Sequence, residues 1–147
     1  MKVRYISSAI VSALLFCGSA FAKPDAKGLK YGAQKIKAEA SYLMIKADRG
    51  YFEADLEVLP ILASAILALE QTIDKAEEAD MYLANHEDDM FLFEITRACS
   101  KIAVARARLY RAKLAVDKDP SGMLQADDFE ELREDIVSLR DEVECPS

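Results

Sequence analysis

The sequence is poor in the residues that carry most chemistry, with no tryptophan and a single histidine, His86, among 147 residues. One histidine cannot supply paired Glu-x-x-His motifs for two metal ions, and Leu83 occupies the required glutamate position. No Cys-x-x-Cys-His motif for covalent haem and no Gly-x-Ser-x-Gly nucleophile motif occurs. We therefore expect a protein that is not an enzyme and that needs no metal or other cofactor.

The first 22 residues have the pattern of a signal peptide. Lys2 and Arg4 give a positive start, and residues 6–16 form an apolar stretch diluted by serines. Ala20 and Ala22 then provide the A-x-A pattern that a signal peptidase reads. We expect cleavage after Ala22 and a mature protein that is periplasmic or secreted.

The leader does not fit the other kinds of membrane attachment. It is too short and too rich in serine for a retained span, and Phe16 occupies the place before Cys17 where a lipoprotein needs a small residue. Removal of the leader leaves residues 23–147 as one domain with two cysteines, Cys99 and Cys145. Because disulfides persist outside the cytoplasm, we expect these two to pair.

Glycine and proline are scarce and helix-forming residues abundant in the mature chain, and its apolar residues recur in alternating steps of three and four. This periodicity is typical of helices that pack along a seam, and no strand-like run accompanies it. The sequence therefore predicts an all-α fold, an antiparallel up-down four-helix bundle. The helices are expected at about residues 26–49, 60–84, 89–116 and 126–144.

Local signals suggest where these helices begin and end. Gly50 is a stop for helix 1, and Pro60 suits the first turn of helix 2, where its missing N–H costs nothing. Residues 61–69 are apolar on nearly every side, which favours a buried core helix over a membrane span. Asp88 or Asp89 is expected to cap helix 3.

Charge alternates along the mature chain. Residues 23–49 hold 7 bases and 3 acids, 50–94 hold 1 and 12, 95–116 hold 6 and 0, and 117–147 hold 3 and 11, giving net charges of +4, −11, +6 and −8 and a total of −9. In an up-down bundle each helix would then flank only helices of opposite sign. The acidic total argues against nucleic acid and anionic membranes as partners.

Helices 3 and 4 can be aligned by pairing residues whose numbers sum to about 244. The pairing matches Cys99 with Cys145 at one level, and it places Lys101 opposite Glu142 and Arg108 opposite Asp135. It also makes Arg106 and Arg140 face each other, so these two must turn toward other helices or solvent.

Three surface features could have a function. The first is an acidic cluster at the junction of helices 2 and 3, which we take as the candidate partner-binding site: Glu77, Glu78, Asp80, Glu87, Asp88 and Asp89. The second is the basic stripe of helix 3, which acids on helices 2 and 4 are expected to neutralise and which consists of Arg97, Lys101, Arg106, Arg108, Arg111 and Lys113. The third is Phe93, which cannot share a seam with Phe91 and is expected to pack on a third helix or on an outside partner.

Taken together, these features predict a small exported helical bundle that acts by binding another protein, one with a basic surface. Inhibitors, immunity proteins, chaperones and secretion accessories all match this description. The alternative is a bundle that binds a small ligand, a metal or haem.

Overall fold

Four helices make up most of the chain that the computed structural model describes, residues 23–146. They are α1 (Ala26–Gly50), α2 (Glu53–Ala84), α3 (Asp88–Lys118) and α4 (Ala126–Glu142). No strand occurs between residues 23 and 146, so the all-α four-helix bundle is confirmed. The expected signal peptide, with Cys17 and the cleavage position, lies outside the described residues.

The helices are arranged as the alternating charges require. α3 packs against α2 and α4, and α1 packs against the same two helices from the other side. The diagonal pairs barely touch in the described chain. Ion pairs cross the seams between neighbours, with Lys37 Nζ 3.1 Å from Glu70 Oε1 and Lys113 Nζ 3.2 Å from Glu130 Oε2.

The core follows the predicted seams. On α3, large apolar residues alternate with alanines, and the face that they form is buried: Phe91, Ile95, Ala98, Ile102, Ala105, Leu109, Ala112 and Val116. α4 contributes Phe129, Leu132, Ile136 and Leu139 to the same core. Because small and large side chains alternate, the neighbouring backbones can approach closely while the space between them is filled.

The expected start of α2 at Pro60 is wrong, because the helix begins at Glu53 and carries the proline inside it. The added turns bury Ala54 and Val58 against the rest of the bundle. Pro60 itself is exposed, so its ring lies on the solvent side. Burial of the added apolar surface therefore outweighs the hydrogen bond that Pro60 cannot give to the Leu56 carbonyl.

α2 is less completely buried than its composition predicted. In the described chain it is the one helix long and apolar enough to cross a membrane by those two criteria, and 33% of its most apolar 18-residue window is buried. Packing between α1 and α3 covers Leu62 and Leu69 fully, whereas Leu56 and Leu67 remain about half exposed. The helix therefore has one core face and one apolar outer ridge.

The predicted register of α3 and α4 is present in the structure. Cys99 and Cys145 are disulfide-bonded with their Cα atoms 5.7 Å apart. The ion pair of Lys113 with Glu130 fits the same alignment, because these two residue numbers also sum to about 244.

Two contacts expected from that register do not form. Arg108 does not reach Asp135, because its Nη1 donates a 2.7 Å hydrogen bond to the Ser64 carbonyl on α2. Lys101 makes no ion pair with Glu142 within 4.0 Å. The alignment of the two helices therefore predicts which backbone positions lie opposite each other. It does not predict the contacts of the long side chains of Lys101 and Arg108 beside the seam.

A buried carboxylate fixes the loop between α3 and α4. Asp55, 2% exposed, accepts hydrogen bonds from the backbone N–H groups of Met123 at 2.8 Å and Leu124 at 3.3 Å. Gly122 packs directly on this carboxylate, and a Cβ atom there would overlap it. The contact ties the N-terminal turn of α2 to a loop almost 70 residues further along the chain.

Candidate functional site

The acidic cluster lies at the end of the bundle where a short loop joins α2 to α3. His86 adopts a left-handed conformation with φ of 60°, and the Glu87 N–H donates to the Tyr82 carbonyl at 2.9 Å, which closes α2. α3 begins at Asp88, and its N-cap is Glu87, whose side chain makes no capping hydrogen bond. The expected cap at Asp88 or Asp89 is therefore wrong, since the left-handed turn starts the helix one residue earlier. Both acids lie in its first turn, where the helix dipole favours them.

Three acids of the cluster have basic partners, two of them on or before α1 and one on α2 itself. Lys23 Nζ lies 2.7 Å from Asp88, Lys30 Nζ lies 3.4 Å from Glu77, and Lys75 Nζ lies 3.0 Å from Glu78. Three of the six acids therefore have a role in the folded structure itself. Sequence spacing missed the pairs of Lys23 and Lys30, because these lysines lie in or before α1, whereas Lys75 and Glu78 are three residues apart on α2.

The other three acids are Asp80, Glu87 and Asp89. Within residues 23–146 none of them has a lysine or arginine nitrogen within 4.0 Å. Glu87 and Asp89 are exposed, and Asp80 is half-buried. Their negative charges therefore face solvent at one end of the bundle.

Large apolar side chains are exposed beside these acids. Met81 is 51% exposed, Met90 38%, Leu92 49% and Phe93 54%. Of the two alternatives for Phe93, packing on a third helix is wrong, because the side chain is exposed and the Arg97 guanidinium lies 5.4 Å from its ring centroid. Contact with an outside partner stays a prediction. We use the name hairpin tip for this surface, formed by Asp80, Met81, Glu87, Asp89, Met90, Leu92 and Phe93.

The ion pairs of the acidic cluster shift the pKa values of the groups that form them. The hydrogen bond from Lys23 lowers the pKa of Asp88, and the charge of the same lysine adds to the effect. The hydrogen bond to Glu78 raises the pKa of Lys75, and the nearby Glu94 acts in the same direction. Glu94 is only 4% exposed and lies between Lys75 and Arg97 at 3.5 and 3.4 Å, so it anchors α2 to α3 just below the hairpin tip.

The basic stripe of α3 is only partly neutralised, contrary to expectation. Lys113 pairs with Glu130 across the α4 seam, and Arg97 pairs with Glu94 on its own helix. Lys101, Arg106 and Arg111 have no acid within 4.0 Å in the described chain. The acids of α2 and α4 lie on the neighbouring helices as predicted, yet their side chains do not reach these three bases.

His86 is exposed on the loop between α2 and α3. Residues 23–146 contain no group of three or more histidine, cysteine, aspartate or glutamate side chains arranged to hold a metal ion. Comparison with protein-family models, curated proteins and solved structures found no match to this chain. The surface chemistry of the bundle is therefore the basis for a functional proposal.

Proposed function

We propose that the protein is exported and acts by binding another protein, whose basic surface contacts the hairpin tip. The observation that carries this proposal is the combination of unpaired acids and exposed apolar side chains at one end of the bundle. Like charges this close repel one another, and four large apolar groups remain in contact with water. A partner with lysines or arginines around an apolar patch would relieve both costs.

Stability of the bundle does not explain the hairpin tip. The paired acids already anchor the loop and the start of α3, and the core seam of α3 begins at the buried Phe91. Glu87 could be replaced by a better capping residue, because its side chain makes no capping bond. The features that remain suit contact with a partner, as in an inhibitor, an immunity protein, a chaperone or a secretion accessory.

The export part of the proposal has its own test. The leader pattern and the disulfide are both compatible with an oxidising compartment. Intact mass and N-terminal sequencing of protein from the native source should show a chain that begins at Lys23. A chain that retains residues 1–22 would contradict export by a cleaved signal peptide.

Site-specific photo-crosslinking tests the location of the interface. A photoreactive residue at Leu92 of the hairpin tip should capture one main partner in the envelope fraction of the native source. The matched control carries it at Leu56, which is as exposed (55% against 49%) but lies at the opposite end of the bundle. Equal capture from both positions, or capture from Leu56 alone, would contradict the proposal.

A further inference from the structure

The outer groove between α3 and α4 gathers arginines on a chain whose net charge is −7. One depression of about 280 Å³ is lined by Arg106, Val137, Arg140, Asp141 and Cys145. A second, of about 540 Å³, adjoins it through Arg106 and also contains Tyr110, Arg111 and Arg133. We call the two together the arginine groove; its lining holds four arginines and one acid, Asp141.

The walls of the groove are held in place at both ends. The Cys99–Cys145 disulfide closes one end, and the ion pair of Lys113 with Glu130 closes the other. Between them, the guanidinium of Arg133 lies 4.6 Å from the ring centroid of Tyr110. The groove is therefore a preformed feature of the α3–α4 hairpin.

Two arginines in the groove have neither a carboxylate nor an acceptor for Nε. The Nε atoms of Arg106, Arg133 and Arg140 are buried, and no protein acceptor in the described chain meets them. Arg133 still donates from Nη1 to Glu130 at 2.7 Å, whereas Arg106 and Arg140 have no such contact among residues 23–146. Neither guanidinium has a carboxylate within 4.0 Å, although Asp141 lines the same depression. A buried donor without an acceptor destabilises the fold, so each such donor calls for an explanation, and a bound ligand is one of them.

The helix dipole explains the position of Arg140 but not that of Arg106. Arg140 lies in the last turn of α4, where the helix dipole favours a cation. Arg106 lies in the middle of α3, far from either helix end. Its position is not explained by the dipole, by an ion pair or by a hydrogen bond.

We propose that the arginine groove binds a small molecule through an oxyanion, a carboxylate or phosphate group, held by Arg106 and Arg140. The planar guanidinium fork matches these anions in a bidentate way, and the unmet Nε donors would supply two of the hydrogen bonds. Ala103 and Ala107 leave room beside the fork, and the ring of Tyr110 offers an apolar wall for the ligand's body. This site is separate from the hairpin tip and does not depend on the proposed partner.

NMR observation of the arginine side-chain Nε–H signals tests the site on the mature, disulfide-bonded protein. Sodium phosphate and sodium citrate are titrated separately, with sodium chloride at matched ionic strength as the blank. We expect at least one of the two to shift the Arg106 and Arg140 signals with saturation, while chloride leaves them unchanged. Saturation by phosphate alone identifies a phosphate site, and saturation by citrate alone identifies a carboxylate site.

Variants separate fork recognition from general charge. Arg106→Lys keeps the charge and removes the fork, so affinity should fall about tenfold; Arg140→Lys repeats the test if the first variant does not fold. The control is Lys101→Gln, which removes an unpaired base of the same helix that lines neither depression. Shifts without saturation, equal shifts in chloride, or an equal loss in Lys101→Gln would overturn the proposal.

Discussion

At the residue scale, Asp55 holds the loop between α3 and α4 in place at one end of the bundle. It is buried and accepts two backbone hydrogen bonds from the α3–α4 loop. Asp55→Ala leaves two N–H groups unsatisfied and should lower the free energy of unfolding by about 1–3 kcal/mol, read from urea denaturation. Asp117 is exposed and has no lysine or arginine nitrogen within 4.0 Å in the part of the chain that the structure describes, so Asp117→Ala should change it by less than about 0.5 kcal/mol. Equal effects of the two changes would contradict this role.

Substitution of Gly122 tests the contact between Asp55 and the α3–α4 loop independently. Gly122→Ala introduces a Cβ that overlaps the Asp55 carboxylate, so it should destabilise the wild-type protein. In the Asp55→Ala background the overlap is gone, and the same change should cost clearly less. Equal costs in both backgrounds would show that the two residues do not meet.

The ion pair of Lys23 with Asp88 gives a pH-dependent signal at the hairpin tip. The hydrogen bond from Lys23 holds the pKa of Asp88 below its ordinary 3.8, so the pair contributes fully above that value and is lost as the pH falls through the lowered pKa. Lys23→Gln should return the pKa toward the ordinary value in an NMR titration. The lowered pKa of Asp119, which its hydrogen bond from Ser121 causes, should not change in this variant. An Asp88 pKa that does not respond would contradict the contact.

At the scale of the element, α2 is a helix with a proline inside it. The exposed Pro60 removes one backbone hydrogen bond, and alanine would restore it. Pro60→Ala should therefore stabilise the protein by about 2 kcal/mol, after allowing for the added freedom of the unfolded chain. Ala63→Gly, one turn further on, should cost about 1 kcal/mol if the segment is helical. Loss of stability in Pro60→Ala would contradict a continuous α2.

The α3–α4 hairpin is fastened by its disulfide. The two cysteines are 46 residues apart. In the chain-entropy model, a disulfide that closes a loop of this length stabilises the folded protein by about 4 kcal/mol, because it restricts the unfolded chain. Cys99→Ala/Cys145→Ala should lose a comparable amount, and reductant should weaken the wild type but not the variant. Intact mass spectrometry under denaturing, non-reducing conditions should find a single chain two hydrogens lighter than the reduced chain. Two free thiols or a disulfide-linked dimer would contradict the pairing.

These elements show which features the sequence could predict. Periodicity of α3 and the alignment of Cys99 with Cys145 were visible because both arise from regular helix geometry. The start of α2 was not, because Pro60 looked like a helix start and the burial of Ala54 and Val58 is a tertiary effect. The Asp55 contact joins residues that no local pattern relates.

At the scale of the whole molecule, alternating charge gave the arrangement of the helices but not their side-chain contacts. It placed α3 between α2 and α4, as the structure confirms. It did not indicate that Lys23 and Lys30 reach the acidic cluster, nor that Arg106 has no acid within 4.0 Å among residues 23–146. Net charge is a property of a helix, whereas an ion pair depends on the reach and direction of two side chains.

The affinity of a captured partner for charge-reversed variants tests the central claim most directly. Glu87→Lys/Asp89→Lys reverses two unpaired charges of the hairpin tip, and Asp48→Lys/Asp117→Lys makes the same net change at the opposite end. Thermal unfolding should show that both variants fold. We predict that the tip variant binds about tenfold more weakly or worse at low salt, with the difference shrinking as salt rises, while the control binds like wild type. Equal binding by wild type and the tip variant across the salt series would contradict the claim that this end is the interface.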